Sequence, residues 1–200
     1  MTIKVAVTGN IGTGKSTVCE ILKAMGFKVF ESDYEVKKLY NQIDIICEIR
    51  KNFINKIPDL FKNGKLDRKK LSNYAFSNKL ELHKLENIIH PHVWNIKKTF
   101  IEDNSKEKVL FFDIPLLFEK DLHKEYDFVF YTMVDQKIQK KRVLERRNMD
   151  FQKFQKILSV QASLSKVTEK FISLKLDTEK NKTLIKNSIK NFLNKKNLLK

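Results

Sequence analysis

The run Gly9-Asn10-Ile11-Gly12-Thr13-Gly14-Lys15-Ser16 constrains this chain more than any other stretch. The apolar segment Ile3-Lys4-Val5-Ala6-Val7-Thr8 before it reads as a strand, and Thr17 to Met25 after it has helical spacing. Strand, glycine-rich loop and helix in that order are the setting of a phosphate-binding P-loop. Glycines let successive N–H groups turn inward onto phosphate oxygens, and the helix start adds partial positive charge and unpaired donors. Gly9, Asn10, Ile11, Gly12, Thr13, Gly14, Lys15, Ser16 and Thr17 are therefore the expected nucleotide-binding residues. Lys15 would sit on the β- and γ-phosphates, and the Ser16 hydroxyl would ligate the Mg²⁺ that bridges them. A chance glycine turn is the plain alternative, but three of only five glycines fall within the six positions 9–14. The chain is expected to bind a nucleoside triphosphate such as ATP through its phosphates.

At 200 residues there is room for one main domain with insertions and a real core. No apolar run approaches the roughly 18 residues of a membrane span, and the start passes into a strand without a signal-segment pattern. Cys19 and Cys47 fit no metal-ligand spacing. So sparse a pair implies reduced thiols and a cytoplasmic protein. The net charge of +16 raises the question of a nucleic-acid partner. Its make-up argues against one, because only Arg50, Arg68, Arg142, Arg146 and Arg147 are arginine and the lysines are dispersed. No basic motif interleaved with aromatics is present to stack bases. The expectation is a small-molecule substrate, no specific nucleic acid, no membrane, and a monomer or weak homo-oligomer.

Along the chain, Phe27 to Phe30 reads as a second strand running into Glu31-Ser32-Asp33-Tyr34. Asp33 then lies just past a strand end, where ligands of open parallel sheets sit. Position alone leaves it two roles, a functional carboxylate or the cap of a helix starting at Tyr34. Residues 34 to 105 read as mostly helical, broken at Pro58, Gly64 and His90-Pro91. Val109 to Phe112 is a buried-strand pattern ending in Asp113, the shape of a Walker B element, and Pro115 to Glu119 follows at once. Phe128 to Met133 is a further buried strand. Helices are expected over about 135–147 and 151–168, a last strand at Phe171 to Leu174, and a basic amphipathic helix over about 182–199. The apolar side of that final helix, Ile185, Ile189, Phe192 and Leu193, suits packing on the sheet better than a membrane surface.

Three of the five arginines fall within six residues, in a chain that otherwise prefers lysine. Arginine offers a planar fork that grips phosphate in two places. Arg142 and Arg146, four apart, would share a helix face and neutralise charge on a moving phosphoryl group. A solvated face with partners such as Glu145 is the alternative, and Arg147 falls off the shared face. A GTPase reading fails, because no glycine outside the loop follows an aspartate at the switch spacing: Lys23 precedes Gly26 and Phe61 precedes Gly64.

Several segments in order resemble the dephospho-coenzyme A kinase family. They are the P-loop, Ser32-Asp33, Gly64 to Leu71, Leu85 to Pro91, Asp113 to Glu119, and Arg142 to Arg146 with Gln161 fifteen residues on. The resemblance covers about residues 3 to 165. It implies an α/β, three-layer P-loop kinase fold with a parallel five-stranded sheet, a helical substrate-binding insertion and a helical lid. The core would comprise 1–33, 106–140 and 169–200, the insertion 34–105, and the lid 141–168. It implies transfer of the γ-phosphoryl of ATP, with Mg²⁺, to the ribose 3′-hydroxyl of dephospho-CoA. Asp33 matches the position that accepts the hydroxyl proton, and Arg142 and Arg146 match the lid arginines. Arg68 and His90 match positions in the substrate-binding region. Asp113 and Glu119 match positions that close the site around metal and substrate. For His90 a helix-ending structural role competes, and Glu119 has a structural alternative too. Glu31 stands where the family often has aspartate, and the family's Asn-x-Gly after the lid has no counterpart, since no glycine follows Leu174. Two rival readings remain: a nucleoside or nucleotide kinase of the same class, and a P-loop ATP-binding module acting on nucleic acid.

Overall fold

The computed structural model describes residues 2–147, 149–161 and 166–199. The chain divides into two compact units, one formed by Met1–Glu31 with Asp103–Lys200 and the other by Ser32–Glu102.

The first unit is built on five parallel strands: β1 (Ile3–Thr8), β2 (Lys28–Glu31), β5 (Val109–Asp113), β6 (Phe128–Met133) and β7 (Leu174–Asp177), in the order β2-β5-β1-β6-β7. The three inner strands β1, β5 and β6 read as near-continuous apolar runs because both faces of a parallel sheet are covered, whereas the edge strands β2 and β7 alternate with charged residues. Alternation sorts them. Val5, Val7, Val109, Phe111, Phe130 and Leu176 point to one face and form a single cluster with helix α1 (Lys15–Ala24) and helix α9 (Lys182–Lys195). Phe111 lies edge-on to Phe27 with ring centres 5.2 Å apart, and Phe130 edge-on to Phe192 at 5.1 Å. Burying each such ring is worth about 1.5–3 kcal/mol as an upper bound. Ile185, Ile189 and Leu193 of α9 are buried in this cluster, so the basic helix spends its apolar side on the sheet. Among the described residues no helix is long and apolar enough to cross a membrane.

Three expected elements move. The last strand is Leu174–Asp177 rather than 171–174, because Leu174 and Leu176 supply the alternation while Phe171 stays partly exposed against His123. Helix α6 (Gln136–Leu144) is shorter than expected: Asp135 caps its start by accepting from the Lys137 N–H, and it ends before Arg146. Helix α7 (Phe151–Val160), capped by Asp150, stops at Gln161, and a separate short helix α8 (Lys166–Glu169) follows. Residues 148 and 162–165 of the expected lid lie outside the described residues.

The second unit is helical, with α2 (Ser32–Leu39), α3 (Ile43–Phe53), α4 (Arg68–Ser77) and α5 (Lys79–Asp103, its last residue across the division). Between α3 and α4 lies a small antiparallel hairpin, β3 (Phe61–Lys62) and β4 (Lys65–Leu66), turned by Asn63-Gly64. Ile45, Ile49 and Phe53 of α3 recur every fourth residue and meet Leu71 and Ala75 of α4 and Leu85, Ile88 and Ile89 of α5 in one core. Glu81, nearly buried on α5, accepts from Lys56 at 2.9 Å through both oxygens and from Lys84 at 3.2 Å. Pro91 lies inside α5, so the expected break at His90-Pro91 does not occur. A proline interrupts the helical ladder at a cost of about 3 kcal/mol. Apolar residues on both sides of it, Leu85, Ile88 and Ile89 before and Val93 and Ile96 after, pack on the same core and hold the helix through.

Candidate active site

All five sheet strands are parallel, so the segments that follow them leave from one edge. β1 is the central strand, and the chain moves to β2 on one side of it and to β6 and β7 on the other. Ligands of open α/β sheets bind at such a reversal of strand order. The P-loop follows β1 at that point.

The loop is held by named contacts. Lys15 Nζ donates to the Gly9 carbonyl at 2.6 Å. The hydroxyls of Thr13 and Thr132 lie 2.7 Å apart, and each also reaches a carbonyl, Asn10 at 2.7 Å and Thr8 at 3.1 Å, so two protons serve three contacts. The peptide of Ile11 is clamped on both sides: its N–H donates to Gln161 Oε1 and its carbonyl accepts from Gln139 Nε2, each at 2.7 Å. Beside that apex, Asn10, Gln136, Gln139, Lys140, Phe154 and Gln161 line part of a cleft of about 470 Å³. No side chain caps the start of α1, and the residue at its N-cap, Gly14, is left-handed. The first-turn N–H groups of α1 are thus presented beside Lys15 and an exposed Ser16, the arrangement a phosphate chain requires.

Asp113 ends β5 in register with Val7 of β1 and with Glu31 of β2, which places both carboxylates on the loop edge of the sheet. Cys19 of α1 senses them: burial pushes its thiol up, and the charges of Asp113 and Glu31 push the same way. Glu31 itself pairs with Lys23. Farther along the same edge, burial raises the Tyr131 hydroxyl pKa and the nearby Glu119 carboxylate adds to it.

The two arginines part company. Arg142, within α6, donates from Nη1 to Thr178 Oγ1 at 2.9 Å and from Nη2 to the Thr178 carbonyl at 3.0 Å. Arg146 lies beyond the end of α6 and is exposed, so the expected shared helix face does not exist. Arg147 is exposed beside it.

In the helical unit, α2 begins at Ser32, directly after β2, which makes Asp33 its second residue. The alternative of a cap for a helix starting at Tyr34 is thereby removed, and Asp33 is an exposed first-turn carboxylate. Arg68 opens α4 behind its cap Asp67, donates to Asn41 Oδ1 at 2.5 Å and lies over the Tyr40 ring. His90 is exposed in mid-helix, 3.9 Å from Glu86, and does not end a helix.

Thr132, Thr178 and Gln139 are contacts of the loop that sequence reasoning passed over. Thr132 carried a faint signal, a hydroxyl at the end of an otherwise apolar strand. Gln139 carried none, since α6 shows no apolar stripe to set a buried polar residue apart.

The sequence profile of the dephospho-CoA kinase family matches residues 3–174. A dephospho-CoA kinase of Fusobacterium nucleatum is 40% identical over 159 residues, covering 80% of this chain and 81% of that protein. A crystal structure of TT1252 from Thermus thermophilus superposes with a TM-score of 0.79 at 25% identity, over 97% of each chain. A dephospho-CoA kinase from Campylobacter jejuni shares the fold with a TM-score of 0.63 at 24% identity, again over 97% of each. With a parallel sheet flanked by helices, a P-loop after its central strand and a family profile spanning nearly the whole chain, the protein belongs to the dephospho-CoA kinase family.

Proposed function

We infer that this chain transfers the γ-phosphoryl group of ATP to the ribose 3′-hydroxyl of dephospho-CoA, giving CoA and ADP, the last step of CoA synthesis. The observation that carries this is the family profile over residues 3–174, which includes the P-loop, Asp33, Arg68, His90, Asp113, Glu119, Arg142 and Arg146.

Phosphoryl transfer asks the protein mainly to position groups and neutralise charge. The α1 N–H groups, Lys15 and the loop backbone hold the phosphates. Arg142 and Arg146 neutralise charge on the transferring group; Thr178 braces the first, and the second is exposed just past the end of α6. Asp33 takes the proton from the acceptor hydroxyl, a role its exposure on the first turn of α2 supports. Arg68, His90 and Glu119 bind the dephospho-CoA. The Ser16 hydroxyl and the Asp113 carboxylate are hard oxygen donors and fit Mg²⁺. When bound, that ion neutralises charge on the β- and γ-phosphoryl oxygens. The free thiols Cys19 and Cys47 support a cytoplasmic reaction.

The test is Lys15→Ala. Turnover of ATP on dephospho-CoA should fall by about 10²-fold or more, because a charge leaves the β/γ-phosphates. Wild-type turnover in a folded Lys15→Ala protein would mean that the loop does not hold the reacting phosphates.

A further inference from the structure

Thr178 stands one residue past β7, is 6% exposed, and has its own N–H fixed to the Met133 carbonyl of β6 at 3.0 Å. From that anchored place its hydroxyl makes three contacts, the longest to the Met133 carbonyl at 3.4 Å. Oγ1 donates to the Thr13 carbonyl of the P-loop at 2.9 Å and accepts from Arg142 Nη1 at 2.9 Å. Its carbonyl takes the other arm of the same guanidinium at 3.0 Å. Its carbon atoms occupy the space next to Gly14: a β-carbon there would lie 2.9 Å from Thr178 Cβ and 3.0 Å from Cγ2. At φ +85° only glycine sits easily at position 14, so the close approach of Thr178 and the left-handed turn select the same residue.

We propose that Thr178 is the positioning residue that fixes the Arg142 guanidinium relative to the phosphate loop. One hydroxyl touches both partners, so neither can shift without the other. A guanidinium braced in two places is aimed before the nucleotide arrives, and pre-set charge is what phosphoryl transfer rewards. The bridge crosses 36 residues on one side and 165 on the other, so local sequence carries no sign of it.

The inference rests on the kinase reading, and two variants separate the hydroxyl from the shape. Thr178→Val keeps the branched side chain against Gly14 and removes the bridge. Thr178→Ser keeps the bridge and removes a methyl. With ATP and dephospho-CoA, Thr178→Val should lose about 10- to 100-fold in kcat/KM for ATP, the loss expected for a hydrogen bond to a charged group. Thr178→Ser should stay within about threefold of wild type. Adding Thr178→Val to Arg142→Lys should cause little further loss, because both act through one contact. ATP affinity by calorimetry needs no acceptor. A wild-type protein that binds ATP but transfers nothing to dephospho-CoA would break the kinase reading, while the Thr178 series is still read by ATP affinity. Three results would overturn the proposal: wild-type kcat/KM and ATP affinity in Thr178→Val, a Thr178→Ser protein as impaired as Thr178→Val, or fully multiplicative losses in the double variant.

Discussion

Replacing Asp33 with asparagine separates chemistry from stability, because the structure assigns very different sizes to the two effects. Asp33 is exposed, is not a helix cap, and sits in the first turn of α2 with Glu35. Its contribution to folding is the attraction of a carboxylate to the helix start, about 0.3–1 kcal/mol at an exposed position. Asparagine forfeits that amount and little else. An amide cannot take the proton of the ribose hydroxyl, so turnover should fall by roughly 10²–10⁴-fold, or about 2.7–5.4 kcal/mol in the barrier. Glu35→Gln is the matched control. It removes a first-turn carboxylate and its ion pair with Lys38 at 2.9 Å, with a similar small loss of stability and no loss of turnover. The assay is kcat on dephospho-CoA, with ATP affinity and melting temperature measured on the same preparations. ATP affinity should be unchanged in Asp33→Asn. A variant that melts and binds ATP normally and still turns over at the wild-type rate would refute the assignment of Asp33 as the base.

A β-carbon on Gly12 would stand 2.5 Å from Val143 Cγ2, at φ +78°. Gly12→Ala should therefore cost about 2–4 kcal/mol in urea unfolding, and Val143→Ala in the same chain should recover the packing part of it. Additive losses would contradict that contact. Arg146→Lys keeps the charge but loses the fork, so turnover should fall about tenfold or more, while Arg147→Lys should be nearly silent. Equal turnover in the two variants would return Arg146 to the solvent. The Lys56 hydrogen bond, with help from Lys84, holds the Glu81 carboxyl below its ordinary pKa of 4.5. The folded state then binds fewer protons than the unfolded one near that pH, so the stabilisation is complete above 4.5 and is lost as pH falls through the depressed value. Glu81→Gln should melt below wild type at neutral pH and converge with it in acid; a gap unchanged by acid would rule the carboxylate out as its cause.

The inner strands of the sheet were legible because they are short apolar runs with clear ends: Ile3–Thr8 and Phe128–Met133 stand where their patterns place them. The P-loop was legible because glycine is scarce elsewhere in the chain. What escaped had a physical reason each time. Pro91 obeys no local rule here, because the core holds the helix on both of its sides. The end of α6 has neither glycine nor proline to mark it, so the helical spacing of Arg142 and Arg146 extended past Leu144 where the backbone does not. The bond of Arg142 to Thr178 joins residues on separate elements, and it exists only once β7 lies beside β6. In the sequence Gln161 shows only as a spacing shared with the family, and its bond to the Ile11 N–H gives that spacing a structural cause.

The identity of the acceptor is what sets this kinase apart from others with the same P-loop core. The protein should be given ATP and Mg²⁺ with dephospho-CoA, AMP, CMP, adenosine or pantothenate in parallel, and the phosphorylated product identified by mass and by the position of the new phosphate. Rapid conversion of dephospho-CoA alone is expected, with the phosphate on the ribose 3′-oxygen and one ADP formed per CoA. Transfer to AMP or CMP in its place, with dephospho-CoA left untouched, would contradict it.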